Sequence, residues 1–95
     1  MKVELYSSVP QADAPNLVSL QDERLDFLPT VLVSPLRRVA ERTAFRVLVE
    51  WRGATYIVCP ELTRPIRRTA LRLMGQLDPT TSRAIMDHFQ HLFAR

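Results

Sequence analysis

Residues 45–59 leave the chain little choice of local structure. Phe45, Val47, Val49 and Trp51 alternate with Arg46, Leu48 and Glu50, and a second apolar run, Ala54-Thr55-Tyr56-Ile57-Val58-Cys59, follows Arg52-Gly53. Strict alternation places one set of side chains on each face of a strand. A two-residue connection that ends in glycine supplies the positive φ of a tight hairpin turn. The segment predicts an antiparallel hairpin.

Other strands are shorter. Lys2, Glu4 and Tyr6 alternate with Val3 and Leu5, the pattern of a half-buried strand, and Leu17–Gln21 reads as a second. Between them Ser7–Asn16 holds two prolines, two serines and an asparagine, a loop composition. Asp22–Pro29 is a charged connection with some apolar side chains turned inward. Thr30-Val31-Leu32-Val33-Ser34 is β-branched and nearly continuous, which suits a strand covered on both faces, and Pro35 is expected to stop it. Pro60–Pro65 reads as a bend. Ile66–Leu77 is ambiguous, with a strand at its start and either strand or short helix at Leu71-Arg72-Leu73-Met74. Asp78 before Pro79 fits a helix N-cap followed by proline at the first helical position. Ile85, Met86, Phe89, Leu92 and Phe93 then recur on one helical stripe.

At 95 residues the chain is expected to form one domain, 1–95, around one core. No apolar run approaches the ~20 residues of a membrane span, and the start alternates where a signal peptide would be continuously apolar. A lone cysteine, Cys59, cannot form an internal disulfide, so a cytoplasmic location is expected. Of the 13 cations 12 are arginine, with Lys2 the exception, which favours planar contacts with carboxylates or phosphates.

Catalytic signatures are sparse. His88 and His91 sit three apart beside Asp87, but nothing else supplies obvious further ligands, so no metal and no cofactor is expected. Cys59 follows an apolar run and reads as an inert buried thiol. With only Gly53 and Gly75, the chain has no phosphate-cradling glycine loop. Arginine doublets occur at Arg37-Arg38 and Arg67-Arg68, with Arg64 and Arg72 near the second. Exposed aromatics between cations would favour nucleic acid, and only Trp51 and Tyr56 flank the hairpin turn.

Several of these segments, taken in order, resemble the CcdB family of plasmid-maintenance toxins, which inhibit DNA gyrase. They are Val3–Tyr6, Leu17-Val18-Ser19-Leu20-Gln21, Leu25-Asp26, Val33-Ser34-Pro35-Leu36, the hairpin, Pro60-Glu61-Leu62, and Ile85-Met86-x-x-Phe89-x-x-Leu92-Phe93. The resemblance implies an α+β, mainly β fold: an SH3-like antiparallel barrel of the CcdB–MazF type, a small second sheet and a C-terminal helix. It implies a bacterial type II toxin that acts by protein binding as a homodimer and is not an enzyme. The implied partners are an acidic antitoxin, the gyrase A subunit, and operator DNA reached only through the antitoxin, with no membrane. The family's target-contact positions fall on Arg24, Leu25, Gln90, Phe93, Ala94 and Arg95, and Arg37, Arg38 and Arg42 are candidates for the antitoxin. The family ends in Trp-Gly-Ile, whereas this chain ends Phe93-Ala94-Arg95.

Two other readings stand beside it. Ribonucleases of the MazF type share this barrel and need a base, an acid and an arginine for the phosphate. Their Gly-Asp start and Arg-Pro strand motif are missing from the N-terminal half of this chain. The third is a non-toxic remnant that still binds antitoxin and operator.

Overall fold

A computed structural model of the chain describes residues 3–19, 24, 27–38 and 46–93, the last six as backbone. Among the described residues seven strands come first: β1 Glu4–Ser7, β2 Leu17–Ser19, β3 Thr30–Arg37, β4 Val47–Trp51, β5 Ala54–Val58, β6 Arg64–Arg67 and β7 Arg72–Gln76. One helix, α1, follows at Pro79–Phe93. Every strand pairing is antiparallel. The path through the sheet runs β4-β5-β3-β2-β1-β7, with β6 added to β3.

The path curls. Trp51 at one end of it lies so close to Gly75 at the other that a Cβ on Gly75 would stand 3.0 Å from the indole. Glycine is therefore required here for a close approach, and side-chain packing, not a ladder, joins the edges of a half-barrel. The hairpin forms as its residues dictate: Arg52 at φ 49° and Gly53 at φ 76° make the two-residue turn with both central φ values positive. Val47 and Trp51 are half-buried and Val49 is buried, while Leu48 and Glu50 face solvent.

β3 does not stop at Pro35; it continues to Arg37. The reason lies in its partners. One edge of β3 pairs with β6 through Thr30–Val33 and with β5 at Leu36 and Arg37, and Pro35 stands at the changeover. There the carbonyl of Pro35 accepts from the Cys59 N–H at 3.0 Å, while the missing N–H of proline faces no acceptor the ladder needs. The neighbouring Leu36 N–H donates to the Asn16 carbonyl at 2.8 Å, on the opposite edge.

Consecutive residues of β1, β2 and β3 serve opposite faces. Val3, Leu5, Val18 and Leu36 join Val49, Tyr56, Val58, Leu77 and Ile85 in one buried cluster beneath the hairpin and α1. Tyr6, Leu17, Val31 and Val33 form a second with Ile66 and Leu71. A register shift in the β1–β7 pairing falls between Leu5 and Tyr6. Coverage of β3 is incomplete, however, because Leu32 is 52% exposed.

Other expectations fare unevenly against the structure. The Pro60–Pro65 bend is a 3-10 turn over Pro60–Leu62, and β6 already begins at Arg64. Arg72–Gln76 is a strand because β1 offers it a partner, with Tyr6 opposite Leu73. Phe27 is 79% exposed rather than turned inward. Of the second strand, Leu17–Ser19 is as expected, and Leu20 and Gln21 lie outside the described residues.

The helix starts where the sequence places it. Asp78 accepts the Thr81 N–H at 2.8 Å through Oδ1 and the Thr81 hydroxyl at 2.8 Å through Oδ2. The Thr81 backbone bond, then its hydroxyl, hold the Asp78 carboxyl below its usual pKa. Among the described residues no helix is long and apolar enough to cross a membrane.

Candidate functional site

The residues proposed from the resemblance are only partly visible. Arg24 is exposed; Leu25, Arg42, Ala94 and Arg95 lie outside the described residues, as do the side chains of Gln90, Phe93, His88 and His91. Arg37, paired with Ile57 of β5, and Arg38 just past it are both exposed, and the Arg38 guanidinium lies 5.5 Å from the centroid of the Tyr56 ring. Tyr56 itself is buried and offers no open platform for a base; Trp51 is half-buried, with Arg52 stacked 4.4 Å from its ring. Cys59 is a buried free thiol. Among the described residues no three metal-ligating side chains gather.

The structure brings together a different set, on the outer face of β3 and β6. Directly opposite residues of an antiparallel pair share a face. Thr30 stands opposite Arg67 and Leu32 opposite Pro65, all four exposed. One step further along the same register Ser34 meets Thr63, their hydroxyl oxygens 2.7 Å apart. The Thr63 hydroxyl donates to the Pro60 carbonyl at 2.7 Å, so the Ser34 hydroxyl donates to Thr63. Ser34 is buried and Thr63 exposed, so a fixed hydroxyl is presented at the surface with lone-pair capacity remaining.

Glu61 occupies the turn that Thr63 closes. The Arg46 Nε donates to Glu61 Oε1 at 2.9 Å, and Arg46 Nη2 lies 2.8 Å from the same oxygen. The guanidinium is largely covered, its side chain 16% exposed against 39% for Glu61. A carboxylate held through one oxygen keeps the other available, and Oε2 is not engaged by a described residue. The Pro60–Thr63 turn thus carries a carboxylate anchored on a covered arginine and, two residues on, a fixed hydroxyl.

Arginines continue along the chain from it. Arg68 Nε donates to the Leu28 carbonyl at 2.6 Å, and Arg72 donates to the Ala12 carbonyl, so both staple loops to the sheet. Arg64 and Arg67 are exposed, with no ion pair among the described residues. Beyond Arg67 a cleft of about 360 Å³ opens between residues 7–11 and residues 69–72.

None of Ser34, Arg46, Glu61 or Thr63 stands out in the sequence. Ser34 lies 29 residues from Thr63 and Arg46 15 from Glu61, and each pair meets only in the fold. The signal that points to them is an Arg-Pro pair on a strand. It is absent from the N-terminal half but present as Arg64-Pro65 at the start of β6.

No protein-family profile matches the sequence, and no curated protein is similar to it. The fold does have a solved counterpart, the Mycobacterium tuberculosis toxin MazF-mt6. It is 20% identical, with a TM-score of 0.71, over 99% of this chain and 97% of that one. The curled antiparallel half-barrel with a C-terminal helix expected from the CcdB–MazF resemblance is therefore the observed fold. One expectation is corrected: a chain with this counterpart is not to be set down as a non-enzyme, because the MazF class is that of the ribonuclease reading above.

Proposed function

We propose that the protein is the toxin of a toxin–antitoxin pair and acts as a MazF-type endoribonuclease. The observation that carries this reading is the likeness to a MazF toxin along nearly the whole of both chains. The polar corner at β3 and β6 supplies the chemistry. In RNA the 2′-hydroxyl attacks the adjacent phosphorus, its proton passes to a base, and the 5′-oxygen leaves as its bond to phosphorus breaks, taking a proton from water. Glu61 is the base, oriented by Arg46. Thr63 accepts a hydrogen bond from a ribose hydroxyl at its fixed position, and the exposed Arg67 and Arg64 hold the phosphodiester backbone. Like the toxins it resembles, the protein works as a homodimer restrained by an acidic antitoxin, to which an arginine-rich surface is complementary.

Gyrase inhibition retains the sequence resemblance as its support. The structure adds nothing to it, because of the six residues that would contact gyrase only Arg24 has a described side chain.

Expression of the chain alone should arrest bacterial growth, and the purified protein should cut single-stranded RNA at a small set of sequences. Indifferent cells together with uncut RNA would return the protein to the class of binding proteins or remnants.

A further inference from the structure

We propose that Ser34, buried in β3 and out of reach of any substrate, is a positioning residue: it fixes the Pro60–Thr63 turn and the Thr63 oxygen for the cleavage of RNA. This rests on the ribonuclease reading above and adds a residue which that reading does not use.

The turn hangs from two consecutive residues of β3. At its start the Cys59 N–H donates to the Pro35 carbonyl at 3.0 Å, and at its end the Ser34 hydroxyl donates to Thr63 Oγ1 at 2.7 Å. Between these anchors the turn closes on itself. The Leu62 N–H donates to the Cys59 carbonyl at 3.1 Å, and the Thr63 N–H to the Pro60 carbonyl at 3.2 Å. Glu61 stands between the two anchors, so a shift at either one moves its carboxylate relative to Thr63. The Pro35 anchor is backbone, whereas the Ser34 anchor is a single side-chain hydroxyl.

Packing gives no reason for that hydroxyl. Ser34 is 2% exposed, and its neighbours on the same face are Leu32 and Leu36 along β3 and Val18 opposite it on β2. A buried hydroxyl costs free energy unless it is hydrogen-bonded, so an alanine would suit this apolar surrounding better. The hydroxyl instead bonds outward, to a residue at the surface. There its direction matters. Thr63 gives its one proton to the Pro60 carbonyl at 2.7 Å and accepts that of Ser34, which leaves Oγ1 a single open lone pair with a single direction. Without Ser34 two acceptor directions are open and the side chain has lost one of its two tethers. The ribose hydroxyl that Thr63 accepts from is then held less closely, and a misplacement of ~1 Å can cost about 100-fold in rate.

The test measures kcat and KM of the full chain on a single-stranded RNA oligonucleotide with one cut, taken per folded chain from parallel thermal melts. Ser34→Ala removes the hydroxyl, and Ser34→Cys keeps nearly the same volume with a far weaker donor. Both should lower kcat about 10- to 100-fold and leave KM within about twofold, the mark of a group that acts in the transition state alone. Ser34→Thr keeps the hydroxyl on a β-branched side chain suited to a strand, and its kcat should lie within about threefold of wild type. A residue that served stability alone would move the melting temperature and not the kcat of the folded chain. Wild-type kcat in the alanine and cysteine variants, a loss confined to KM, or a threonine variant as slow as alanine would each overturn the proposal and leave the ribonuclease reading standing. If the wild type leaves RNA intact, both fall together.

Discussion

Leu36 and Leu32 lie four residues apart on the same face of β3, and their surroundings are opposite. Leu36 is 5% exposed and packs with Val49, Tyr56, Val58 and Ile85; Leu32 is 52% exposed beside Pro65. Ser34 between them is buried, with its hydroxyl on Thr63. A single strand thus passes from core, through a hydrogen-bonded seam, to an open face. The covered end is closed by apolar packing, Trp51 against Gly75 and Ile85 of the helix, and contributes stability. The open end keeps an anchored carboxylate and arginines in water, which stability alone does not call for. That division is what the proposed ribonuclease activity needs of a rigid scaffold.

If the division is right, changes at the two ends should separate. The largest effect belongs to Glu61→Gln, which keeps the shape but removes the base: RNA cleavage should fall about 100- to 10,000-fold with little change in melting temperature. Equal loss of folding and activity would break the contrast. Leu5→Ala, deep in the covered cluster, should cost ~2–5 kcal/mol in denaturant unfolding, while the fraction still folded cuts RNA normally. Gly75→Ala presses a methyl onto the Trp51 indole and should cost ~1–3 kcal/mol unless the ring shifts. Trp51→Leu in the same chain should make that alanine nearly neutral, which sharpens the seam's role.

The smallest effect concerns the helix cap. The folded-state pKa of Asp78 is lowered by Thr81, so its contribution is present above the unfolded carboxyl's pKa and lost as the pH falls through the folded value. Asp78→Ala should lower the melting temperature slightly at neutral pH and not at all in strong acid, checked by thermal melts across that range.

The sequence was legible where structure is local. Arg52-Gly53 between alternating runs gives the hairpin, and Asp78-Pro79 gives the helix start, because turn and cap chemistry act within a few residues. Pro35 does not end β3, because whether a proline ends a strand depends on which distant strand faces its nitrogen. Leu71–Met74 stayed ambiguous because only pairing with β1 decides it. The site was the least legible part: Ser34 meets Thr63 across 29 residues and Arg46 meets Glu61 across 15, so no spacing rule joins them.

The most direct measurement is the chemistry of the RNA ends left after incubation of single-stranded RNA with the pure protein. Attack by the 2′-hydroxyl at the Glu61–Thr63 corner predicts site-selective cuts bearing a 2′,3′-cyclic phosphate on one fragment and a free 5′-hydroxyl on the other. RNA that stays intact at excess protein, with gyrase trapped on cleaved DNA by the same preparation, would contradict the account.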